Sequence, residues 1–135
     1  MVKGLMITHG KLGKELLDVA EKILERKVDV THIPFDWQGD GSDMLRQIER
    51  FIHAHRDCDI VIFTDMFGGS PANIATRFVG PRIEVVSGIN LPGLLKFLSW
   101  QERAINFKEL IKRIEQEAKD GITAMSAYLG EKKHD

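Results

Sequence analysis

Four short apolar, β-rich runs recur along the chain, at Val2 to Ile7, Val28 to Pro34, Asp59 to Thr64 and Ile83 to Val86, each followed by Gly or Pro punctuation. Between them the apolar residues change period. Leu12, Leu16, Val19, Ala20, Ile23 and Leu24 fall at helical spacing, as do Leu45, Ile48, Phe51 and Ile52. Strands that alternate with amphipathic helices have one favoured solution, a largely parallel sheet with helices on both faces and right-handed crossovers. The fold class expected is therefore a doubly wound α/β domain with strand order 2-1-3-4. Ser42 is read as the cap of the second helix with Asp43 in its first turn. Asn106 with Glu109 makes a capping-box-like start for a later helix carrying Leu110, Ile111 and Ile114, which Gly121 ends. In the segment from Ile122 to Tyr128, two alternating sets of residues lack a clear polar face, and it reads either as a helical turn or as a short terminal strand.

At 135 residues the chain can bury a core without disulfides or metals, and it reads as one domain over 1–129 with a solvated tail at 130–135. Its net charge of -1 lacks the polybasic field that condenses on nucleic acid, so nucleic acid is not an expected partner. The single cysteine, Cys58, has no internal disulfide partner and reads as a small core thiol in a reducing compartment. No segment has the character of a secretory leader or the length to span a bilayer, and the expected location is the cytoplasm.

Ligands of open parallel sheets bind beyond the carboxyl ends of the strands, where the strand order reverses. The first strand ends in Thr8-His9-Gly10. The third ends in Thr64-Asp65-Met66, followed by Phe67-Gly68-Gly69-Ser70-Pro71. If strands 1 and 3 are neighbours, His9 and Asp65 meet at one rim. A carboxylate that takes the proton of one ring nitrogen leaves the other with an exposed lone pair, a competent nucleophile near neutral pH. Gly68 and Gly69 let the backbone approach an anion, Ser70 suits an N-cap and Pro71 the first helical position, so that amides and helix dipole face the anion. The chemistry expected is phosphoryl acceptance on His9, oriented by Asp65, with Gly68, Gly69 and Ser70 receiving the phosphate and neither metal nor cofactor required.

The remaining candidates have blander readings. His53 and His55 are two apart on a helix and make a poor metal pair, His32 lies in a strand and His134 in the tail. Asp36 sits at the same rim but reads as a solvated loop carboxylate. Phe35 and Trp37 flank the second strand's end and read as core cover rather than as a docking surface. Ser87 to Pro92 forms a second rim turn of structural character, with Asn90 within reach of a partner.

Taken together and in order, Thr8-His9-Gly10, Asp65 to Pro71 and Ser87-Gly88-Ile89-Asn90-Leu91-Pro92 resemble the enzyme IIA component of the mannose-family sugar phosphotransferase system over nearly the whole chain. The resemblance implies that His9 takes a phosphoryl group from the phosphocarrier HPr and passes it to a IIB component, with Asp65 in support and the membrane IIC and IID subunits further along. As the sequence stops just past the IIA-like region, the IIB partner is expected to be a separate protein. The resemblance also implies a homodimer that exchanges a terminal strand, favouring the strand reading of Ile122 to Tyr128. Met66 stands where some members carry a hydroxyl side chain. Two rivals fit less well, and a third is not separated by the site residues. A two-component receiver needs more carboxylates after strand 1. A serine hydrolase would use Ser70, yet Gly-Gly-Ser-Pro is not the Gly-x-Ser-x-Gly elbow. A regulatory sensor of phosphorylation state uses the same residues and differs only in its partners.

Overall fold

The period-two alternation of the strands sorts the core into two halves. In a computed structural model that describes residues 1–35, 37–103 and 105–133, strand β1 spans Val2–His9, β2 Val30–Phe35, β3 Asp59–Thr64 and β4 Ile83–Ser87. Leu5 and Ile7 of β1 and Ile60 and Ile62 of β3 join one apolar cluster, while Met6, Val61 and Phe63 join the other. The three strand pairings among the described residues are parallel, as the alternation of elements required, and the order is β2-β1-β3-β4.

Helices cover both faces. On one side lie α1 (Leu12–Leu24), α4 (Leu91–Trp100) and α5 (Phe107–Asp120), which bring Leu17, Leu94, Phe97, Leu110 and Ile114 onto Met6, Val61 and Phe63. Phe97 meets Phe63 edge to face with ring centroids 5.0 Å apart. On the other side, α2 (Ser42–Ala54) and α3 (Ser70–Thr76) supply Met44, Ile48 and Ala75. Because β1 and β3 are central and fully sandwiched, their runs are almost continuously apolar, whereas the edge strands β2 and β4 are only half-buried.

Two expectations change at the helices, while a third holds. Ser42 opens α2 but does not cap it. Gly41 holds the cap position, and the Ser42 backbone N–H and hydroxyl both donate to Asp40 Oδ1, at 3.0 and 2.7 Å, so the hydroxyl is already committed. Asn106 does cap α5, accepting the Glu109 N–H at 3.2 Å. The open segment Ile122 to Tyr128 turns helical at Met125, where α6 (Met125–Lys133) begins, rather than forming the strand that the resemblance favoured. Its amides are satisfied locally, with Ala127 and Tyr128 N–H donating to the Ala124 carbonyl, whereas a strand would need an edge from elsewhere. The tail expected at 130–135 is thus helical through Lys133, and His134 and Asp135 lie outside the described residues. Among the described residues no helix is long and apolar enough to cross a membrane.

Candidate functional site

His9 is the last residue of β1 and Asp65 the first beyond β3; the register that sets Ile7 opposite Thr64 brings both to the carboxyl rim. One oxygen, Asp65 Oδ2, accepts from the His9 backbone N–H at 3.1 Å and lies 2.9 Å from His9 Nδ1. Burial alone would push the Asp65 carboxyl up, but the bonds from the His9 ring and backbone outweigh it and hold the group below its ordinary value. The group is therefore an ionised, acceptor-only carboxylate. Nδ1 must supply the proton of the short contact, which leaves the lone pair of the neutral ring on Nε2. The other carboxylate oxygen, Asp65 Oδ1, is buried without a hydrogen-bond partner among the described residues.

A turn from Met66 to Gly69 wraps beside this pair. Gly68 has φ of 83°, a left-handed conformation that few other residues adopt without strain. Gly69 is extended and caps α3, its carbonyl accepting the Asn73 N–H at 3.0 Å as the first helical bond. Ser70 is therefore the first helical residue and not the cap, a displacement of one from expectation, and it is exposed. A Cβ added to Gly69 would stand 3.0 Å from His9 Cε1 and 3.1 Å from Met66 Cγ, so the turn passes this close only because the residue is glycine.

Two aromatic rings complete the surroundings of His9. The imidazole centroid is 5.6 Å from Phe35 and 5.0 Å from Trp37, and Phe35 and Trp37 are 5.5 Å apart, so the three rings form a nearly equilateral cluster. Phe35 also packs against the cluster beneath α2 and α3, as core cover should. Trp37 does not: it is 69 % exposed and lies obliquely against the imidazole, with an interplanar angle of 35°. The reading of Trp37 as core is thereby corrected, because its ring lies against His9 at the end of the neighbouring strand β1. Asp36, between them, lies outside the described residues.

Sequence reasoning missed the polar support under the rim. Thr8 is fully buried, and its hydroxyl oxygen accepts the Gly13 N–H at 2.8 Å, tying the first turn of α1 to the strand end that carries His9. That hydroxyl is 3.3 Å from His32 Nε2, and burial, reinforced by the Lys14 charge, lowers the His32 pKa and favours a neutral ring able to accept from it. Thr64 Oγ1 donates to Ser87 Oγ at 2.9 Å, and the Thr64 carbonyl takes the Gly88 and Ile89 amides. The available signal was a threonine at the corresponding place near the end of both central strands. Asn90 has a structural role, accepting from Gly93 N–H and donating to the Ala118 carbonyl. His53 is exposed, and His55 packs on Phe51.

Residues 4–115 match the family EIIA-man, described as PTS system fructose IIA component. The mannose-specific EIIAB component of Escherichia coli K12 is 30 % identical over 131 residues, 93 % of this chain; the chain spans 40 % of that relative's length. The fructose-specific EIIA component of Bacillus subtilis 168 is 26 % identical over 135 residues, covering 96 % of this chain and 90 % of the relative. In fold, the chain superposes on a phosphotransferase system component EIIA from Streptococcus agalactiae with a TM-score of 0.81 at 23 % identity, over 94 % of this chain and 99 % of that one.

Proposed function

The chain belongs to the EIIA-man family of sugar phosphotransferase system components, and from that membership we propose that it is a phosphoryl carrier whose acceptor atom is Nε2 of His9. The observation that carries the reading is the double hold of Asp65 Oδ2 on the backbone N–H and Nδ1 of His9. With Nδ1 protonated and held, the Nε2 lone pair attacks phosphorus. The N–P bond forms as the bond between phosphorus and the donor atom breaks, and that electron pair leaves with the donor. The Nδ1 proton stays between ring and carboxylate, whose charge stabilises the cationic ring that results. Gly68, Gly69 and Ser70 supply the neighbouring turn that receives the phosphate.

The donor is HPr and the acceptor a IIB component, in the cytoplasm, on the way to membrane IIC and IID subunits. The test is incubation with phosphoenolpyruvate, enzyme I and HPr. Label that survives alkali, is lost in acid and is absent from His9→Ala supports the reading, whereas undiminished label in His9→Ala refutes it.

The carrier works as a homodimer. Among the described residues strand β4 pairs with β3 alone, and its other side borders a groove of about 510 Å³ lined by Phe67, Val79, Val86, Ile111 and Ile122 together with the charged Glu84, Glu115 and Lys119. Gly80 already satisfies the N–H and carbonyl of Ile83 on that side and the Glu84 carboxylate takes the Val85 N–H, so it is the apolar side chains along the edge that favour association with a second copy. Sedimentation at micromolar concentration should show a dimer; a monomer would refute this part of the reading.

A further inference from the structure

We propose that Trp37 is a positioning residue that holds the His9 imidazole and lengthens the life of its phosphorylated form, an inference that rests on His9 being the phosphoryl acceptor. The Nδ1 bond to Asp65 holds one edge of the ring, but a single hydrogen bond still tolerates rocking of the ring about Cβ–Cγ. That remaining freedom is removed by the aromatic pair, Trp37 at 5.0 Å and Phe35 at 5.6 Å from the imidazole centroid. Phe35 is anchored in the core cluster, and Trp37 rests edge-on against it at an interplanar angle of 81°, so the indole is itself oriented. A tryptophan left 69 % exposed gains little from burial. Its place is explained by what it touches.

The chemistry gives that place a purpose. A ring that carries phosphorus on Nε2 and a proton on Nδ1 bears positive charge, and an indole π-face attracts a cation within about 6 Å of its centroid. Loss of the phosphoryl group to water breaks the N–P bond, delivers the phosphoryl group to the water oxygen and returns the electron pair to Nε2, so the ring loses its charge in the transition state. An indole that favours the charged ring slows that loss, and by covering one side of the imidazole it also keeps water from it. Both effects act in the same direction. Asp65 and Trp37 thus divide the work, the carboxylate holding the ring in its plane and the indole holding it against rotation.

The test follows label placed on His9 by two donors. Phospho-HPr delivers it through a protein partner. Phosphoramidate, a small donor that releases ammonia as the N–P bond to His9 forms, delivers it without one. After the donor is removed, Trp37→Ala should lose label about 2- to 10-fold faster than the unaltered protein, the effect of one aromatic or cation–π contact. Trp37→Phe should restore the lifetime to within about twofold. In a Trp100→Phe background Trp37 is the remaining tryptophan, and its emission should change when His9 is phosphorylated and stay constant in His9→Gln.

Equal lifetimes in Trp37→Ala and the unaltered protein, or a Trp37→Phe lifetime as short as that of Trp37→Ala, would overturn the proposal. So would an effect confined to the rate of transfer from HPr, which would make Trp37 a docking residue. Label accepted from phosphoramidate but not from HPr refutes the carrier reading and leaves the proposal standing on the lifetimes. Label on His9 from neither donor overturns both.

Discussion

Gly69→Ala separates the geometry of the turn from the stability of the fold. Gly69 has φ −77° and ψ 164°, a conformation alanine adopts freely, so the substitution adds no backbone strain. It adds one methyl group, placed 3.0 Å from His9 Cε1 and 3.1 Å from Met66 Cγ. Ordinary carbon contacts are longer, so these neighbours must give by a few tenths of an ångström. Met66 is 54 % exposed and can swing away. His9 cannot, because Asp65 holds its ring at 2.9 Å and the aromatic pair stands alongside. The hydrogen bond must lengthen or the ring must turn. A misplacement of about 1 Å can cost on the order of 10²-fold in rate, so the initial rate of phosphoryl acceptance from phospho-HPr should fall about 10-fold. Loss of glycine freedom in the unfolded chain stabilises by about 0.4 to 1 kcal/mol, which offsets the crowding, so urea midpoints should move by less than about 1 kcal/mol in either direction. Acceptance at the unaltered rate by a normally folded Gly69→Ala protein would refute the reasoning.

Asp65→Asn should leave the fold intact and slow acceptance by two to four orders of magnitude, about 10⁴-fold being the cost of the equivalent change in a serine protease triad, because the amide can donate to Nδ1 and shift the proton to Nε2. The same carboxyl gives a pH signature. Its folded pKa lies below the ordinary value, so its stabilising contribution is present in full above the ordinary carboxylate range and is lost as pH falls through the folded value. Urea titrations near pH 7 and near pH 3 should therefore differ less in Asp65→Asn than in the unaltered protein; an equal difference would count against the pairing. Phe97→Ala, in a fully buried ring packed on Phe63, should cost about 3 to 5 kcal/mol in urea while the folded fraction accepts phosphoryl groups normally. A loss below about 1 kcal/mol would mean that the cavity collapses.

The sheet was legible because its signal is periodic. Largely apolar runs at Val2 to Ile7 and Asp59 to Thr64 marked the two central strands, and once those were neighbours the juxtaposition of His9 with Asp65 followed from chain direction alone. The Asn106 cap was legible as it stands, whereas those of α2 and α3 were legible only to within one residue, since Gly41-Ser42 and Gly69-Ser70 each offer two candidates and the choice depends on which carbonyl accepts the first helical amide. Trp37 was not legible. Whether an aromatic ring beyond β2 turns into the core or over the end of β1 is decided by the neighbouring strand, and no local pattern encodes it. Thr8 was also hidden, because a single buried hydroxyl leaves no periodicity, and its value lies in satisfying Gly13 N–H across a turn. The segment after Gly121 stayed ambiguous for a different reason: with no polar face its alternation has no direction, and α6 forms where local amide bonds are the nearest partners.

The central claim is that Asp65 commits Nδ1 of His9 to its proton and leaves Nε2 to take the phosphoryl group. The most direct measurement is a nitrogen–phosphorus NMR correlation on the phosphorylated, nitrogen-15-labelled protein, which identifies the ring atom bonded to phosphorus. The account predicts phosphorus on Nε2 of His9, with the Nδ1 proton still present and shifted by its bond to the carboxylate. Phosphorus on Nδ1, or on any residue other than His9, would contradict it.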